Sequence, residues 1–224
     1  MTDHSPASDE AAAAVVAVPE PEPESAARLF DDRIDLARSF TAELVARGEE
    51  LGLIGPIELP RIWTRHILNS VVVAPLLPEG ARVGDIGSGA GLPGLVLAIA
   101  RPDVTMVLIE PMERRVEWLR SESERLGLDN VEVVRARAEE VGRELDLSQV
   151  TARAVSALSK LIPITRPLID VGGQLVFLKG ARVHDEIEAA QKQIRKARLD
   201  EVEVLELGAG DVSEVTRVFR ATVV

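Results

Sequence analysis

The chain has 224 residues, of which 46% are apolar, so it can bury one sizeable core and favours a single main domain with at most a small appendage. It has no cysteine, which excludes disulfides, cysteine-based zinc sites and thiol nucleophiles, and no apolar run approaches the roughly 18 residues that span a bilayer. The net charge of −11 counts against a polyanionic partner, but residues 1–58 hold 13 acidic and four basic side chains, and the remainder is close to neutral.

The first quarter of the chain contains a polar tail and two predicted helices. Residues 1–24 combine an alanine run with alternating proline and glutamate, which predicts a disordered acidic tail. From Ser25, a suitable N-cap, apolar residues recur at helical spacing up to Gly48 and predict one amphipathic helix. A second helix is predicted from about Arg61–Ala74, with a proline on each side. Residues 25–78 are therefore expected to form an N-terminal helical cap.

From residue 79 onward, short β-branched runs alternate with helical segments, a pattern typical of a parallel sheet covered on both faces. Five strands are predicted at Arg82–Ile86, Val104–Ile109, Val131–Arg135, Val150–Val155 and Gln174–Lys179. Helices are predicted at Leu92–Ala100, Met112–Leu126, Lys160–Ile169 and Asp185–Arg198. Two final strands, Leu199–Leu207 and Val215–Val224, flank a glycine-rich turn. The expected fold of residues 79–224 is α/β and Rossmann-like: a mostly parallel seven-stranded sheet that ends in an antiparallel hairpin.

A glycine-rich turn follows the first predicted strand, which ends near Asp85. The candidate ligand-binding residues of the turn are Gly87, Ser88, Gly89, Gly91 and Leu92. Such a strand-to-helix turn presents backbone N–H groups and the positive end of a helix to a ligand. Leu92 stands where the third glycine of the dinucleotide fingerprint would fall, which counts against a nicotinamide cofactor. An acid two positions before the first glycine suits a ligand with an ammonium group, such as S-adenosylmethionine.

Further candidates lie where later strands end. Glu110 stands nineteen positions after Gly91, where a carboxylate can accept hydrogen bonds from both ribose hydroxyls. Ala138 and Glu139 follow the third strand, where a loop commonly faces an adenine, although a solvated helix start is the alternative. Arg153 either faces the ligand or forms a structural ion pair. With the glycine turn, these residues predict a class I S-adenosylmethionine-dependent methyltransferase.

Missing residue types narrow the methyl acceptor. Methylation of a pyrimidine carbon usually needs a cysteine, and methylation of an exocyclic amine commonly uses a D/N-P-P-Y/F signature, but the chain has neither cysteine nor tyrosine. A guanine N7 has a lone pair in the ring plane, so orientation can supply most of the catalysis without a general base. A small-molecule acceptor stays open as an alternative. So does a non-catalytic ribosome-binding module with a vestigial nucleotide pocket.

Three motifs, in order, resemble the RsmG (GidB) family of bacterial ribosomal RNA methyltransferases. They are RIWTRHILNS at 61–70, DIGSGAGLPG at 85–94 and LIEPMERR at 108–115, and shorter matches extend the resemblance from about Ser25 to the C-terminus. The resemblance implies methyl transfer from S-adenosylmethionine to N7 of a guanine in a decoding-centre loop of 16S rRNA. The implied partner is 16S rRNA or the small ribosomal subunit. We expect a cytoplasmic monomer that needs neither a metal nor a membrane.

The resemblance also assigns roles to residues. It implies cofactor contacts for Gly87, Leu92, Ala138, Glu139 and Arg153, and a place beside the ribose for Glu110. Family members often have aspartate where this chain has Asn69, and the acidic tail is not part of the shared pattern.

Basic residues from the cap and from the end of the fifth strand are expected to meet on the acceptor side. Arg65 and His66 of the cap and Lys179 are the candidates that would position RNA through phosphate contacts. The alternative for His66 is a buried histidine with satisfied hydrogen bonds. The basic run Lys192–Arg198 also fits an ordinary solvated helix face.

Overall fold

The computed structural model describes residues 17–212 and 214–224, and a seven-stranded sheet forms its centre. The strands are β1 (Arg82–Ile86), β2 (Thr105–Ile109), β3 (Val131–Val134), β4 (Leu147–Arg153), β5 (Ile169–Lys179), β6 (Leu199–Leu207) and β7 (Thr216–Val223). Their order across the sheet is β3-β2-β1-β4-β5-β7-β6, in which β1 to β5 run parallel and β7 pairs antiparallel with β5 and β6. The predicted α/β fold with a terminal antiparallel hairpin is confirmed.

Eight α-helices flank this sheet within the described residues. They are α1 (Ser25–Phe30), α2 (Ile34–Arg47), α3 (Asn69–Val71), α4 (Gly94–Ala100), α5 (Glu113–Arg125), α6 (Leu158–Thr165), α7 (Val183–Ala189) and α8 (Gln191–Ala197). Short 3₁₀ turns join several of them, and a π-helix spans Ile62–Leu68. None of the helices in the described ranges has the length and apolar character needed to cross a membrane.

Two hydrophobic clusters fill the two faces of the sheet. On one face the cap side chains Phe30, Phe40 and Ile67 share a cluster with α4 and α5. On the other face α6, α7 and α8 pack over Phe177 and Phe219, whose stacked rings have centroids 5.9 Å apart. Strands that are covered on both faces read as apolar runs, which is why the sequence pattern located them. The cap and the sheet therefore share one core.

The first cap helix is broken, whereas the sequence predicted one helix from Ser25 to Gly48. Asp31 has a positive φ of 47°, which interrupts the helical winding, and a 3₁₀ turn separates α1 from α2. The break redirects α1 toward the hairpin between β6 and β7. There Ser25 Oγ donates to the Asp211 carbonyl at 2.6 Å, and Arg28 pairs with the Asp211 carboxylate at 2.7 Å.

The second cap helix differs more from its prediction as a regular helix over Arg61–Ala74. A 3₁₀ segment at Pro56–Arg61 leads into the π-helix Ile62–Leu68, and only α3 has α-helical winding. π-Helical turns are rare and occur frequently at functional sites. In this one, the carbonyl oxygens of Arg65 and His66 accept hydrogen bonds from outside the helix.

The end of the predicted tail also differs from expectation, while residues 1–16 lie outside the described part. Residues 17–24 have no regular structure until the turn at Glu24, but they are anchored to the cap. Glu20 N donates to the Leu59 carbonyl at 2.8 Å, its carboxylate accepts from Thr64 N at 2.9 Å, and Glu22 pairs with Arg38 at 2.7 Å. These contacts tie the stretch to the cap, whereas the sequence predicted a disordered tail over residues 1–24.

Several later boundaries also shift, and the fifth strand, predicted at Gln174–Lys179, already starts at Ile169. The fourth strand was predicted at Val150–Val155, but β4 starts earlier because the buried Gln149 belongs to it. It ends at Arg153 because Ala154 has a positive φ of 54°. The helix predicted at Asp185–Arg198 is divided at Ala190 into α7 and α8.

Candidate cofactor and acceptor site

The glycine turn lies over the carboxyl end of β1, beside the point where the strand order changes direction. Gly87 N donates to the Ile109 carbonyl at 2.8 Å and so fixes the turn to β2. Gly87, Gly89 and Gly91 have positive φ values of 65°, 55° and 91°. A Cβ atom at Gly91 would overlap Leu95, whereas at Gly89 its closest contact would be the Gly87 carbonyl at 3.6 Å. The turn therefore leaves open space at Gly89, as a bound ligand requires.

Asp85 is fully buried beneath this turn. Its Oδ2 accepts a hydrogen bond from Gly94 N at 3.1 Å, while Oδ1 has no partner within the described residues. Burial raises the pKa of the carboxyl to about 7. A buried carboxyl oxygen without a donor matches a ligand that carries an ammonium group, so the residues present fit the amino-acid end of S-adenosylmethionine.

Glu110 connects the turn to the next strand. It is 2% exposed, and its two carboxylate oxygens accept from Gly89 N and Met112 N, each at 3.0 Å. Each oxygen keeps a second lone pair, so the carboxylate can still accept from two ribose hydroxyls. Trp118 supports the same turn by donating from Nε1 to the Ala90 carbonyl at 3.1 Å.

The other predicted cofactor residues around the turn differ in burial. Ser88 is buried and donates from Oγ to the Asp85 carbonyl at 2.9 Å, and Leu92 packs into the core shared with the cap. Ala138 is buried at the start of a 3₁₀ turn after β3, and Glu139 follows it in an exposed position. The turn is closed by Glu140, which accepts from Arg137 N at 2.9 Å. The first N–H groups of such a turn have no partner within it and can face an adenine.

Arg153, at the end of β4, points its guanidinium at the cap. Nη1 donates to the carbonyl oxygens of Arg65 and His66 at 3.2 and 3.3 Å, and Nη2 donates to His66 Nδ1. Burial lowers the pKa of Arg153 to about 10, so the group stays charged at neutral pH. In the described ranges it pairs with no carboxylate, so the alternative of a structural ion pair is not observed.

His66 lies inside this network instead of on an RNA-facing surface. The residue is 8% exposed, and its Nε2 lies 2.7 Å from Glu58 Oε2. Burial, helped by the nearby Arg153 charge, lowers the pKa of His66 to about 4, so the ring is neutral at neutral pH. Because a guanidinium can only donate, Nδ1 is the acceptor and the ring proton is on Nε2.

A cleft of about 520 Å³ opens beside Arg153. The cap contributes Arg65 and Asn69 to its wall, and the end of β5 contributes Lys179. Lys179 Nζ is held by Glu186 at 2.7 Å and by the Ser156 carbonyl at 3.0 Å. The buried side-chain oxygen of Asn69 has no partner among the described groups. Arg65 and Lys179 thus meet at one cleft as expected, and His66 does not line it.

Sequence reasoning missed three residues of this region. Glu58 is the partner of His66, and the only feature of the sequence that could have indicated it is its position eight residues before the histidine. Met112 and Val155 are 47% and 39% exposed near the turn and offer apolar surface to a flat ring. Met112 was assigned to a helix and Val155 to a strand. Their exposure at the ends of these elements was not visible in the pattern.

The basic run on α8 lies apart from this site. Lys192 and Lys196 line a separate cleft of about 410 Å³ together with Arg166, which precedes β5 and thus marks the amino edge of the sheet. The cofactor turn is at the carboxyl edge, so this run is not part of the site.

The chain is similar in sequence to ribosomal RNA methyltransferases. The sequence model of the GidB family, described as rRNA small subunit methyltransferase G, matches residues 33–215. The ribosomal RNA small subunit methyltransferase G of Clavibacter michiganensis subsp. michiganensis is 66% identical over 204 residues, 91% of this chain and 96% of that protein. The protein of the same name from Leifsonia xyli subsp. xyli is 62% identical over 202 residues, 90% of this chain and 96% of that protein.

Solved structures with low sequence identity show the same fold. An S-adenosylmethionine-dependent O-methyltransferase from Thermotoga maritima has a TM-score of 0.55 at 20% identity, covering 70% of this chain and 65% of that one. An S-adenosylmethionine-dependent methyltransferase from Aquifex aeolicus has a TM-score of 0.55 at 18% identity, covering 75% of this chain and 95% of that one. The predicted family resemblance and the predicted cofactor are confirmed. The chain belongs to the rRNA small subunit methyltransferase G (GidB) family and is, by family and fold, an S-adenosylmethionine-dependent methyltransferase.

Proposed function

We propose that the chain transfers a methyl group from S-adenosylmethionine to N7 of a guanine in the decoding-centre region of 16S rRNA. The observation that carries this proposal is the junction at Arg153, which belongs both to the carboxyl edge that bears the glycine turn and to the wall of the cleft with Arg65 and Lys179. A cofactor at the turn and a polyanion in the cleft would therefore be neighbours. We further propose that the chain acts as a cytoplasmic monomer on 16S rRNA or the small ribosomal subunit.

On the cofactor side, each group of the site matches one part of S-adenosylmethionine. When bound, the cofactor supplies an electrophilic methyl group on its sulfonium sulfur. Asp85 would offer its unpaired oxygen to the ammonium end, Arg153 its charge to the carboxylate and Glu110 its lone pairs to the ribose. Ala138 and Glu139, with the apolar surfaces of Met112 and Val155, would bound the adenine.

The protonation states of the site favour an acceptor that needs no base. In a transfer to guanine N7, the ring lone pair forms the new bond to carbon, the carbon–sulfur bond breaks and its electron pair stays on sulfur. No proton has to be removed. His66 cannot serve as a base, because its Nδ1 faces Arg153 and its Nε2 faces Glu58. Arg65 and Lys179 would position RNA phosphates, so orientation supplies most of the rate.

The test is methylation of 16S rRNA from a strain that lacks the enzyme. We expect purified protein with S-adenosylmethionine to produce new 7-methylguanine, detected by mass spectrometry and mapped to one nucleotide. Naked rRNA and assembled small subunits should be assayed in parallel. The absence of new 7-methylguanine with both substrates would refute the proposal.

Two alternatives predict different results. A small-molecule methyltransferase on this fold would form product with a low-molecular-weight acceptor and none with ribosomal subunits. A non-catalytic ribosome-binding module would bind rRNA but show no calorimetric binding of S-adenosylmethionine. The buried, unpartnered oxygen of Asp85 favours a cofactor-binding enzyme over the module.

A further inference from the structure

Two residues of the cap form a relay to Arg153 that the methyl transfer itself does not use. Glu58 holds His66 at 2.7 Å, and His66 in turn accepts from Arg153. Glu58 precedes the π-helix and Arg153 ends β4, so the relay crosses from the cap to the sheet. We infer that Glu58, acting through His66, positions the Arg153 guanidinium for the carboxylate of the cofactor, so that the cap sets cofactor affinity.

The relay holds Arg153 without neutralising it. Its partners are two backbone carbonyls and a neutral imidazole nitrogen. A carboxylate in the place of the imidazole would fix the guanidinium equally well but would compete with an anionic ligand. A neutral acceptor leaves the positive charge available, and the cofactor carries a carboxylate at its amino-acid end.

Glu58 fixes which nitrogen of His66 can accept. With the carboxylate facing Nε2, the ring proton stays on Nε2 and the lone pair of Nδ1 points at Arg153. Two cations flank the relay, with Arg61 2.5 Å and Arg65 3.6 Å from the Glu58 carboxylate, and the buried Asp85 carboxyl acts on Arg153 through its charge. Burial and the charges of Arg153 and Arg65 lower the pKa of His66, so the ring stays neutral.

The π-helix supplies the other two acceptors. Its widened winding directs the carbonyls of Arg65 and His66 toward the guanidinium. Arg153 has five N–H donors, and within the described residues these three contacts use Nη1 and Nη2. The Nε edge is left for a ligand. Glu58 and His66 are thus positioning residues that act through Arg153, and this assignment rests on the proposed function of Arg153 in cofactor binding.

Calorimetry with two nucleosides tests the relay. S-Adenosylhomocysteine carries the amino-acid carboxylate, whereas 5′-methylthioadenosine lacks it. We expect Glu58→Ala and His66→Ala to lower the affinity for S-adenosylhomocysteine about tenfold, the scale of one charge-assisted hydrogen bond, and to leave the affinity for 5′-methylthioadenosine unchanged. His66→Asn, whose amide oxygen can still accept from the guanidinium, should recover most of the loss.

A matched control removes another cap glutamate that is paired with an arginine. Glu43 pairs with Arg47 at 3.3 Å on α2 and has no link to Arg153 in the described structure, so Glu43→Ala should bind both nucleosides normally. Equal losses for the two nucleosides in Glu58→Ala and His66→Ala, or no loss for either, would overturn the relay. A wild-type chain that binds S-adenosylhomocysteine but does not methylate rRNA would instead refute the proposed function and leave the relay intact. No binding by the wild-type chain would overturn both.

Discussion

Asp85 is a buried acid whose charged form disfavours the folded state of the free protein. Its carboxyl is fully buried, one of its oxygens has no partner among the described residues, and burial raises its pKa from 3.8 to about 7. A raised folded-state pKa means that the carboxyl favours folding below about pH 3.8 and loses that contribution as the pH rises through about 7. At neutral pH and above, the free protein therefore contains a buried charge that a cationic ligand would relieve.

Asp85→Asn should consequently stabilise the free protein at pH 8, by at most about 4 kcal/mol, the free-energy equivalent of raising the pKa from 3.8 to about 7. The difference in unfolding free energy between the variant and wild type should be smaller at pH 5, where the buried carboxyl is protonated. Affinity for S-adenosylmethionine should fall in the same variant, because the ammonium end loses its charged partner. Denaturant unfolding at both pH values and calorimetry at pH 8 measure these effects. A variant that is less stable than wild type at pH 8 would contradict this account of the buried charge.

At Gly89 an added side chain would enter open space instead of overlapping the protein. Gly89→Asp would place a carboxylate in the open space beside Glu110, which accepts from Gly89 N. We expect undetectable binding of S-adenosylmethionine by calorimetry, with a cooperative unfolding transition still present. Gly89→Asn is the matched control, since asparagine has nearly the same size and tolerates the positive φ of 55° but adds no charge. Wild-type affinity in the aspartate variant would show that the ligand lies elsewhere.

At the scale of elements, α5 supports the glycine turn through one hydrogen bond. Trp118 lies on α5 and donates to the Ala90 carbonyl. Trp118→Phe should keep most of the packing and lose this bond, which leaves a carbonyl without a donor and costs about 1 kcal/mol of unfolding free energy. Denaturant unfolding measures the loss, and calorimetry should show weaker cofactor binding. If stability and affinity both stayed at wild-type values, the bond would not support the turn.

The strands were easier to predict than the cap. β1 and β6 have their predicted bounds because a glycine follows each strand, although β1 is almost fully buried and β6 is a charged edge strand with no buried residue. The winding of the cap was not predictable in this way. The break at Asp31 and the π-helix at Ile62–Leu68 serve contacts with residues far along the chain, Asp211 and Arg153. Local periodicity contains no information about such partners.

The site was predictable only where local spacing defines it. Gly87, Gly89 and Glu110 follow a spacing that the turn itself imposes, and the structure brings them together. Glu58 and the burial of His66 depend on how the cap packs against β4, which no spacing encodes. Asn69 lines the cleft as part of the cap, although nothing in the described structure explains why asparagine stands there.

At the scale of the whole molecule, the cap and the sheet should unfold together because they share one hydrophobic core. Each part contains one tryptophan, Trp63 in the cap and Trp118 on α5, and both are buried in that core. The single-tryptophan variants Trp63→Phe and Trp118→Phe therefore report on one part each. We expect the fluorescence midpoint of each variant to coincide with its own midpoint from circular dichroism. An earlier fluorescence transition for the variant that retains Trp63 would show that the cap unfolds independently.

The position of β7 between β5 and β6 has a consequence for the nascent chain. During synthesis, β6 emerges before β7, its partner in the hairpin. Until β7 has been made, one edge of β5 is also unpaired. Unpaired strand edges invite pairing with other chains, and charged side chains discourage it. β6 carries four carboxylates, at Asp200, Glu201, Glu203 and Glu206. The acidity of this strand can therefore keep the unfinished sheet from joining another copy until β7 arrives to close it.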